Sequence, residues 1–316
     1  MAEEFTLNML MDTPIKVCLA ADRKYLRHLL VTMSSILLHA AEKERFEFLI
    51  LSDGSLRDAH FSKVGGLGDC EIQIVRADQM IHEHMDLVCN PQWPFSVYYR
   101  LLLPFLCSGD ERIIYLDCDI IVRSSLAPLW NISLEESVAG VADAGFDHLR
   151  RLGEKGIEIA GPYINSGVMV WNLERIRSMN YSAQLKKVKK RLPNPDFPDQ
   201  DWINIMFETE KQILSPVWNC MSHLFSPEAD LFAPYTEEEV SISRGNPRIC
   251  HFTNIKPWTM TYNEHPYWFE YWEVLRSTPY AWLYPKGRAK KILFSSEDSF
   301  FLKKVRPVVK RLTGRA

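Results

Sequence analysis

Asp117 and Asp119, separated by Cys118, close the short apolar run Ile113-Ile114-Tyr115-Leu116. Carboxylates at the carboxyl end of a buried strand stand where open α/β sheets gather their ligands. There they can converge on one hard cation, Mn²⁺ or Mg²⁺, which takes oxygen ligands and leaves positions open for substrate phosphates. The same pair can equally form a solvated turn whose acids cap nearby backbone amides. A second cluster, His251-Phe252-Thr253-Asn254-Ile255-Lys256-Pro257-Trp258, follows Ile249 and Cys250 and so begins at another strand end. A neutral imidazole can complete a mixed oxygen and nitrogen site, and Lys256 can place a mobile positive charge on a phosphate, with Pro257 restricting the turn beyond it. The competing reading makes His251 a buried donor to a backbone carbonyl and lets Lys256 snorkel to water.

Three further positions carry chemistry. Asp199-Gln200-Asp201 follows a loop stiffened by Pro193, Pro195 and Pro198. An acid there is either the N-cap of the helix expected to start near Trp202 or a group facing a ligand. In Asn165-Ser166-Gly167 the glycine permits close approach of the backbone to another group. Arg100 lies among apolar residues and needs an acceptor, either a core carboxylate or a substrate. Asp22, ending the first apolar run, can accept from a base or ribose or cap the next helix. No Gly-x-Gly-x-x-Gly follows that run, and no P-loop or Gly-x-Ser-x-Gly elbow occurs, which removes the usual dinucleotide, P-loop and serine-hydrolase readings.

The elements that must position these groups read as strand, helix, strand, helix, strand. Residues 15–21 are a compact apolar run, and Leu29, Met33, Ile36 and Leu37 keep helical spacing within 25–40. Phe46 to Leu51 is a second run, and Glu71 to Val75 alternates like a strand after a glycine cluster. This is the rhythm of a mostly parallel sheet covered by helices. Residues 98–107 predict a helix kinked at Pro104, and 174–191 a helix basic on one side. The last third is richer in proline and aromatics, with Trp258, Trp268, Trp272 and Trp282.

Of 316 residues, 47% are hydrophobic and 24% charged, so a disordered or fibrous chain is excluded. A net charge of -3 gives no case for nucleic-acid binding. Residues 286–316 nevertheless hold ten basic and two acidic residues. Phe301, Val305, Val308 and Leu312 can share a helical face there, either on an anionic membrane or against the protein itself. Seven dispersed cysteines without a C-x-x-C pair fit reduced thiols and a cytoplasmic setting. The acidic N-terminus does not read as a signal peptide, and no run approaches the roughly 18 apolar residues of a membrane span.

Taken in order, the motifs resemble those of the retaining glycosyltransferases of family 8, which include bacterial lipooligosaccharide galactosyl- and glucosyltransferases and glycogenin. The resemblance runs from Ile15 to Trp258 through Ala20-Ala21-Asp22 with Tyr25, Tyr99-Arg100-Leu101, Ile113 to Asp119, Asp143, Tyr163 to Val168, Asp199-Gln200-Asp201 and His251 to Trp258. It implies an α/β fold: one GT-A-type, Rossmann-like catalytic domain over residues 14–275, with a mixed, mostly parallel sheet and a basic extension over 276–316. By similarity Asp117, Asp119 and His251 bind Mn²⁺, or Mg²⁺ in its place. Asp22 and Lys24 lie near the uridine, and Arg100, Asp143 and Asn165 hold sugar or ribose hydroxyls. Lys256 meets the diphosphate, while Cys118, Ser166 and Asn254 complete the substrate-binding set. Gln200 faces the anomeric carbon with Asp199 beside it, and Asp143 or Asp199 is the alternative nucleophile. The closing motif departs from the family's usual His-x-x-Gly-x-x-Lys-Pro-Trp: Asn254 replaces the glycine, and one residue fewer precedes Lys256. The implied reaction moves galactose or glucose from UDP-galactose or UDP-glucose to a saccharide acceptor such as a lipid-linked lipopolysaccharide core, in the cytoplasm or on the inner membrane face. A catalytically silent binding module and a nucleotidyltransferase are the alternatives.

Overall fold

Val17, Cys18 and Leu19 are completely buried, as expected of a parallel strand covered on both faces. In the computed structural model, which describes residues 13–85, 93–143, 147–225, 234–253, 255–259 and 265–283, this strand is the hub of the sheet. The order along the chain is β1 (Ile15–Ala20), α1 (Leu26–Leu38), β2 (Phe46–Ser52), β3 (Cys70–Arg76), α2 (Ala77–Met85), β4 (Arg112–Leu116) and β5 (Ile120–Val122). There follow β6 (Val138–Ala142), α3 (His148–Glu154), β7 (Ile164–Asn172), α4 (Leu173–Ser178), α5 (Tyr181–Arg191) and α6 (Pro198–Met206). The last are β8 (Lys211–Ile213), β9 (Cys220–Met221), α7 (Glu237–Gly245), β10 (Ile249–His251) and α8 (Trp268–Ser277).

Among the described residues, seven strands form one sheet in the order β3-β2-β1-β4-β7-β6-β8. β1 pairs in parallel with β2 and β4, β7 runs antiparallel to β4 and β6, and β8 is parallel to β6. The chain builds outward from β1 through β2 to β3, then returns to the other side as β4. The gap between the carboxyl ends of β1 and β4 is therefore a topological switch point, where open α/β sheets bind ligands. This is the mixed, mostly parallel α/β architecture expected from the sequence.

A second sheet, β5-β10-β9, was not legible in the sequence. Its strands are two or three residues long, too short for any periodicity. The exposed edge of β5 is closed by α1: Ser35 Oγ accepts from Val122 N at 3.0 Å and Thr32 Oγ1 donates to the Ile120 carbonyl at 3.1 Å. That contact explains why the side chains from His28 through Leu37 are buried without a solvent stripe.

Two other expectations change. Residues 98–107 form a 3₁₀ turn, Phe95–Leu102, followed by one helical turn, Leu103–Leu106. Pro104 falls in that first turn, where its missing N–H costs nothing. The expected helix over 174–191 is two helices, because Asn180 accepts from Ala183 N and caps a new start. α8 ends at Ser277, two residues beyond the boundary expected between domain and extension. Nearly all of the basic extension, and Asn254, lie outside the described residues. No helix among the described residues is long and apolar enough to cross a membrane.

Candidate active site

Asp117 and Asp119 lie in the crossover between the sheets, directly after β4 and directly before β5. β10 runs antiparallel to β5 with His251 opposite Ile120, so the register itself carries the imidazole next to Asp119. One ligand atom from each of Asp117, Asp119 and His251 lies within 4.8 Å of the others. His251 Nε2 is 3.3 Å from Asp119 Oδ1 and 4.0 Å from Asp117 Oδ2. Asp119 Oδ1 is buried and receives no hydrogen bond. His251 does not take the alternative role of donor to a carbonyl: its Nδ1 faces Asn219 Oδ1 at 2.8 Å.

Lys256 does not snorkel. Its ammonium is bound by Asp119 Oδ2 and by the carbonyls of Phe252 and Thr253. The neighbouring turn is clamped between α1 and α8, since Trp258 stacks on His28 of α1 at 3.6 Å and Trp272 Nε1 of α8 donates to the Pro257 carbonyl at 3.3 Å. Burial alone would push the Asp119 carboxyl up, but the Lys256 ammonium on its Oδ2 pulls the other way and holds the acid far below the usual carboxylate range.

The floor of the site is β7. Gly167 leaves no room for a side chain: a Cβ there would lie 2.4 Å from His251 Cε1 and 2.7 Å from Asp117 Oδ2. Its neighbours Asn165 and Ser166 bind the first turn of α6. Ser166 Oγ donates to Asp199 Oδ2 at 2.8 Å, while Gln200 Oε1 accepts from Ser166 N at 2.9 Å and Asn165 Nδ2 at 3.1 Å. Asp143, at the end of β6, accepts from Asn165 Nδ2 at 3.0 Å and Gln200 Nε2 at 3.3 Å. Burial opposes ionisation of Asp143, yet His148, His223 and Asn165 together keep its acid well below the usual range.

Arg100 joins the two halves. It donates to Asp117 Oδ1 at 2.9 Å, pairs with Asp199 Oδ2 at 2.9 Å, bonds the Ser166 carbonyl and lies over the Tyr115 ring. The acceptor demanded by an arginine among apolar residues is thus a pair of core carboxylates. Burial pushes Asp199 upward and Arg100 pulls it only part of the way back.

Asp199 is not the N-cap of α6, which is Phe197. The capping is done by Asp201, whose Oδ2 accepts from Asp196 N at 3.0 Å and Phe197 N at 3.1 Å. Asp201 also binds Tyr163 and Arg151 at 2.6 and 2.7 Å, which ties the proline-rich loop to the sheet. Asp22 Oδ1 accepts from the backbone of Lys24 and Tyr25, both at 2.9 Å, and so closes the turn before α1, whose N-cap is Tyr25. The Lys24 side chain is exposed. Cys118 Sγ donates to the Ala20 carbonyl at 3.3 Å. Sequence reasoning missed Asn219 and the histidines around Asp143. Asn219 follows a single 3₁₀ turn and precedes a two-residue strand, a context with no periodic signal.

Residues 16–261 match the sequence profile of glycosyl transferase family 8. General stress protein A of Bacillus subtilis is 29% identical over 280 residues, covering 84% of this chain and 95% of the relative. Lipopolysaccharide 1,2-glucosyltransferase of Escherichia coli K12 is 22% identical over 254 residues, or 77% of this chain and 72% of that protein. Among solved structures, galactosyltransferase LgtC in complex with donor and acceptor sugar analogues superposes with a TM-score of 0.68 at 21% identity, covering 84% of this chain and 96% of LgtC. The bifunctional glycosyltransferase WbbM gives 0.71 at 18% identity, with 86% of this chain spanning 51% of WbbM.

Proposed function

Because the chain belongs to glycosyl transferase family 8, we propose that it is a metal-dependent, retaining hexosyltransferase that moves galactose or glucose from a UDP-sugar to a lipopolysaccharide-type saccharide acceptor. The observation that carries the metal reading is Asp119 Oδ1, a buried acceptor without a donor, facing His251 Nε2 at 3.3 Å. A buried carboxylate oxygen left without a proton or a cation is costly. For metal–ligand bonds of about 2.1 Å, adjacent ligands of an octahedral ion are about 3 Å apart and opposite ones about 4.2 Å. The separations of 3.3 and 4.0 Å around His251 Nε2 suit that range. Asp117, Asp119 and His251 would hold Mn²⁺ or Mg²⁺, which supplies Lewis-acid neutralisation of a diphosphate leaving group.

The protein's own groups do the rest. Lys256 adds a second positive charge on the same carboxylate, where it can meet charge developing on the diphosphate. Gln200 Oε1 already accepts two hydrogen bonds, from Ser166 N and Asn165 Nδ2, and a neutral amide oxygen so engaged is a weak nucleophile. Asp199 is committed to Arg100 and Ser166, and Asp143 to Asn165 and Gln200. These commitments favour front-face substitution over a two-step displacement. In that route the C–O bond to the diphosphate breaks first, Gln200 stabilises the cationic sugar from the opposite face, and the departing phosphate oxygen takes the acceptor hydroxyl's proton.

The acceptor class is supported by the relative named as a lipopolysaccharide glucosyltransferase. The relatives' names include both glucosyl and galactosyl activities, so both sugars belong in the assay. Peripheral attachment to the inner membrane face is supported by the ten basic residues of 286–316 and by Trp282, 68% exposed just before them. The decisive experiment is a panel of UDP-sugars with Mn²⁺, assayed for slow UDP release alone and then with lipooligosaccharide cores. Free UDP and a glycosylated core are expected. Pyrophosphate would identify a nucleotidyltransferase, and the absence of turnover with every UDP-sugar and acceptor would overturn the transferase reading.

A further inference from the structure

We infer that Asn219 is a positioning residue that fixes the tautomer of His251, leaving Nε2 unprotonated and directed at Asp119 and Asp117. The Gly167 backbone N–H can only donate, and it meets the Asn165 side chain at 2.9 Å. The Asn165 atom there is therefore its oxygen, Oδ1. Asn219 approaches the same Oδ1 at 2.9 Å, so it must present its amino group, Nδ2. The other end of that amide, Oδ1, then faces His251 Nδ1 at 2.8 Å. An amide oxygen has no proton to give, so the proton of this bond resides on Nδ1. Asn165, Asn219 and His251 are buried, and among the described residues no other partner competes for these atoms.

The consequence lies on the far side of the ring. With Nδ1 protonated in the neutral imidazole, Nε2 carries a lone pair toward Asp119 Oδ1 at 3.3 Å. Three lone-pair groups then converge, a combination that a cation satisfies and a proton on Nε2 would obstruct. Histidines that bind metals are commonly oriented this way by a partner on the opposite nitrogen, and losing that partner typically weakens metal affinity by about 10–100-fold. Here the partner is held in turn by Asn165, whose Nδ2 donates to Asp143 at 3.0 Å and Gln200 at 3.1 Å. The groups proposed to hold the sugar thus also set the amide that orients the cation ligand. The inference rests on the cation assignment above for its purpose, but its tautomer claim stands separately.

The test uses the full chain labelled with ¹⁵N-histidine, free of metal and nucleotide, at pH 8. In the wild type the His251 Nε2 resonance should be that of an unprotonated nitrogen. Asn219→Ala should admit the Nε2–H tautomer and weaken Mn²⁺ binding, measured by calorimetry, by about 10–100-fold. Asn219→Asp keeps an oxygen for Nδ1–H and should restore the wild-type tautomer. If Asn219→Ala does not fold, the wild type and Asn219→Asp decide the matter. A proton on Nε2 in the wild type would overturn the inference, as would an Asn219→Ala protein with unchanged tautomer and affinity. A wild type that shows the Nδ1–H tautomer but binds no divalent ion would sink the proposed function and leave this assignment intact.

Discussion

Asp119, half-buried with its Oδ1 enclosed, and Asp199, buried, stand at the same mouth of the sheet, and desolvation pushes the acid of each upward. On the proposed cation side, the Lys256 ammonium reverses that push, leaving Asp119 ionised with one oxygen unpartnered. On the sugar side, Arg100 is divided between Asp117 and Asp199 and reverses it only in part. The hydrogen bonds of Arg100, Ser166, Asn165, Gln200 and Asp143 close on one another. One region thus keeps an anionic oxygen in reserve for a partner the chain does not supply, while the other is already organised around its own donors. Electrostatic preorganisation requires the second kind of region, and cation capture requires the first.

The largest test of this contrast is Asp119→Asn. Removing the reserved charge should lower UDP-sugar turnover by at least about 10²–10³-fold, the scale of losing one charge-stabilising group. The melting temperature should fall as well, because the Lys256 ammonium loses its carboxylate partner, so turnover is measured well below it. Near-normal turnover by both Asp119→Asn and Asp117→Asn would remove the cation assignment.

Arg100→Met attacks the closed region instead. It leaves Asp117 and Asp199 without their shared guanidinium, and breaking a buried pair in this way costs about 3–5 kcal/mol. Urea unfolding should show that loss even with no ligand present, and a loss below about 1 kcal/mol would mean the network is not closed through Arg100. Gly167→Ala probes the seam between the regions. Its Cβ would meet His251 Cε1 at 2.4 Å and Asp117 Oδ2 at 2.7 Å, both parts of the cation side. Mn²⁺ affinity should fall by about tenfold or more, the lower end of the range for disturbing ligand orientation. Unchanged affinity would show that the floor of the site yields at no cost.

The contrast also marks what the sequence could reveal. Asp117 and Asp119 were legible because they close an apolar run that had to be a strand, and strand ends are where side chains escape the core. The main sheet was legible for the same reason, through runs such as residues 15–21 and 46–51. The small sheet was not, because β5, β9 and β10 owe their pairing to α1 and to each other rather than to any pattern of their own. Asn219 was hidden with it. Asp199 was read with capping as its main alternative because sequence alone could not place Arg100, more than ninety residues earlier, against the first turn of α6. Local chemistry was visible; partnerships made by register and tertiary packing were not.

The finest distinction between the two carboxylates is the sign of their pH dependence. Asp119 has a folded-state acid well below its unfolded value of about 3.9. Its contribution to stability is therefore present above that pH and lost as pH falls through it toward the depressed folded value. Asp199 is raised in the folded state, so it opposes folding above its folded value, and that penalty is relieved on acidification. Stability measured by urea unfolding between pH 6 and pH 3 should thus fall less steeply in Asp119→Asn than in the wild type. In Asp199→Asn it should fall more steeply, because the compensating relief has been removed. Two variants differing by one atom each, at one mouth of one sheet, should bend the same curve in opposite directions. Parallel curves for both would mean that Arg100 serves Asp199 as fully as Lys256 serves Asp119, and the distinction between the two regions would reduce to geometry alone.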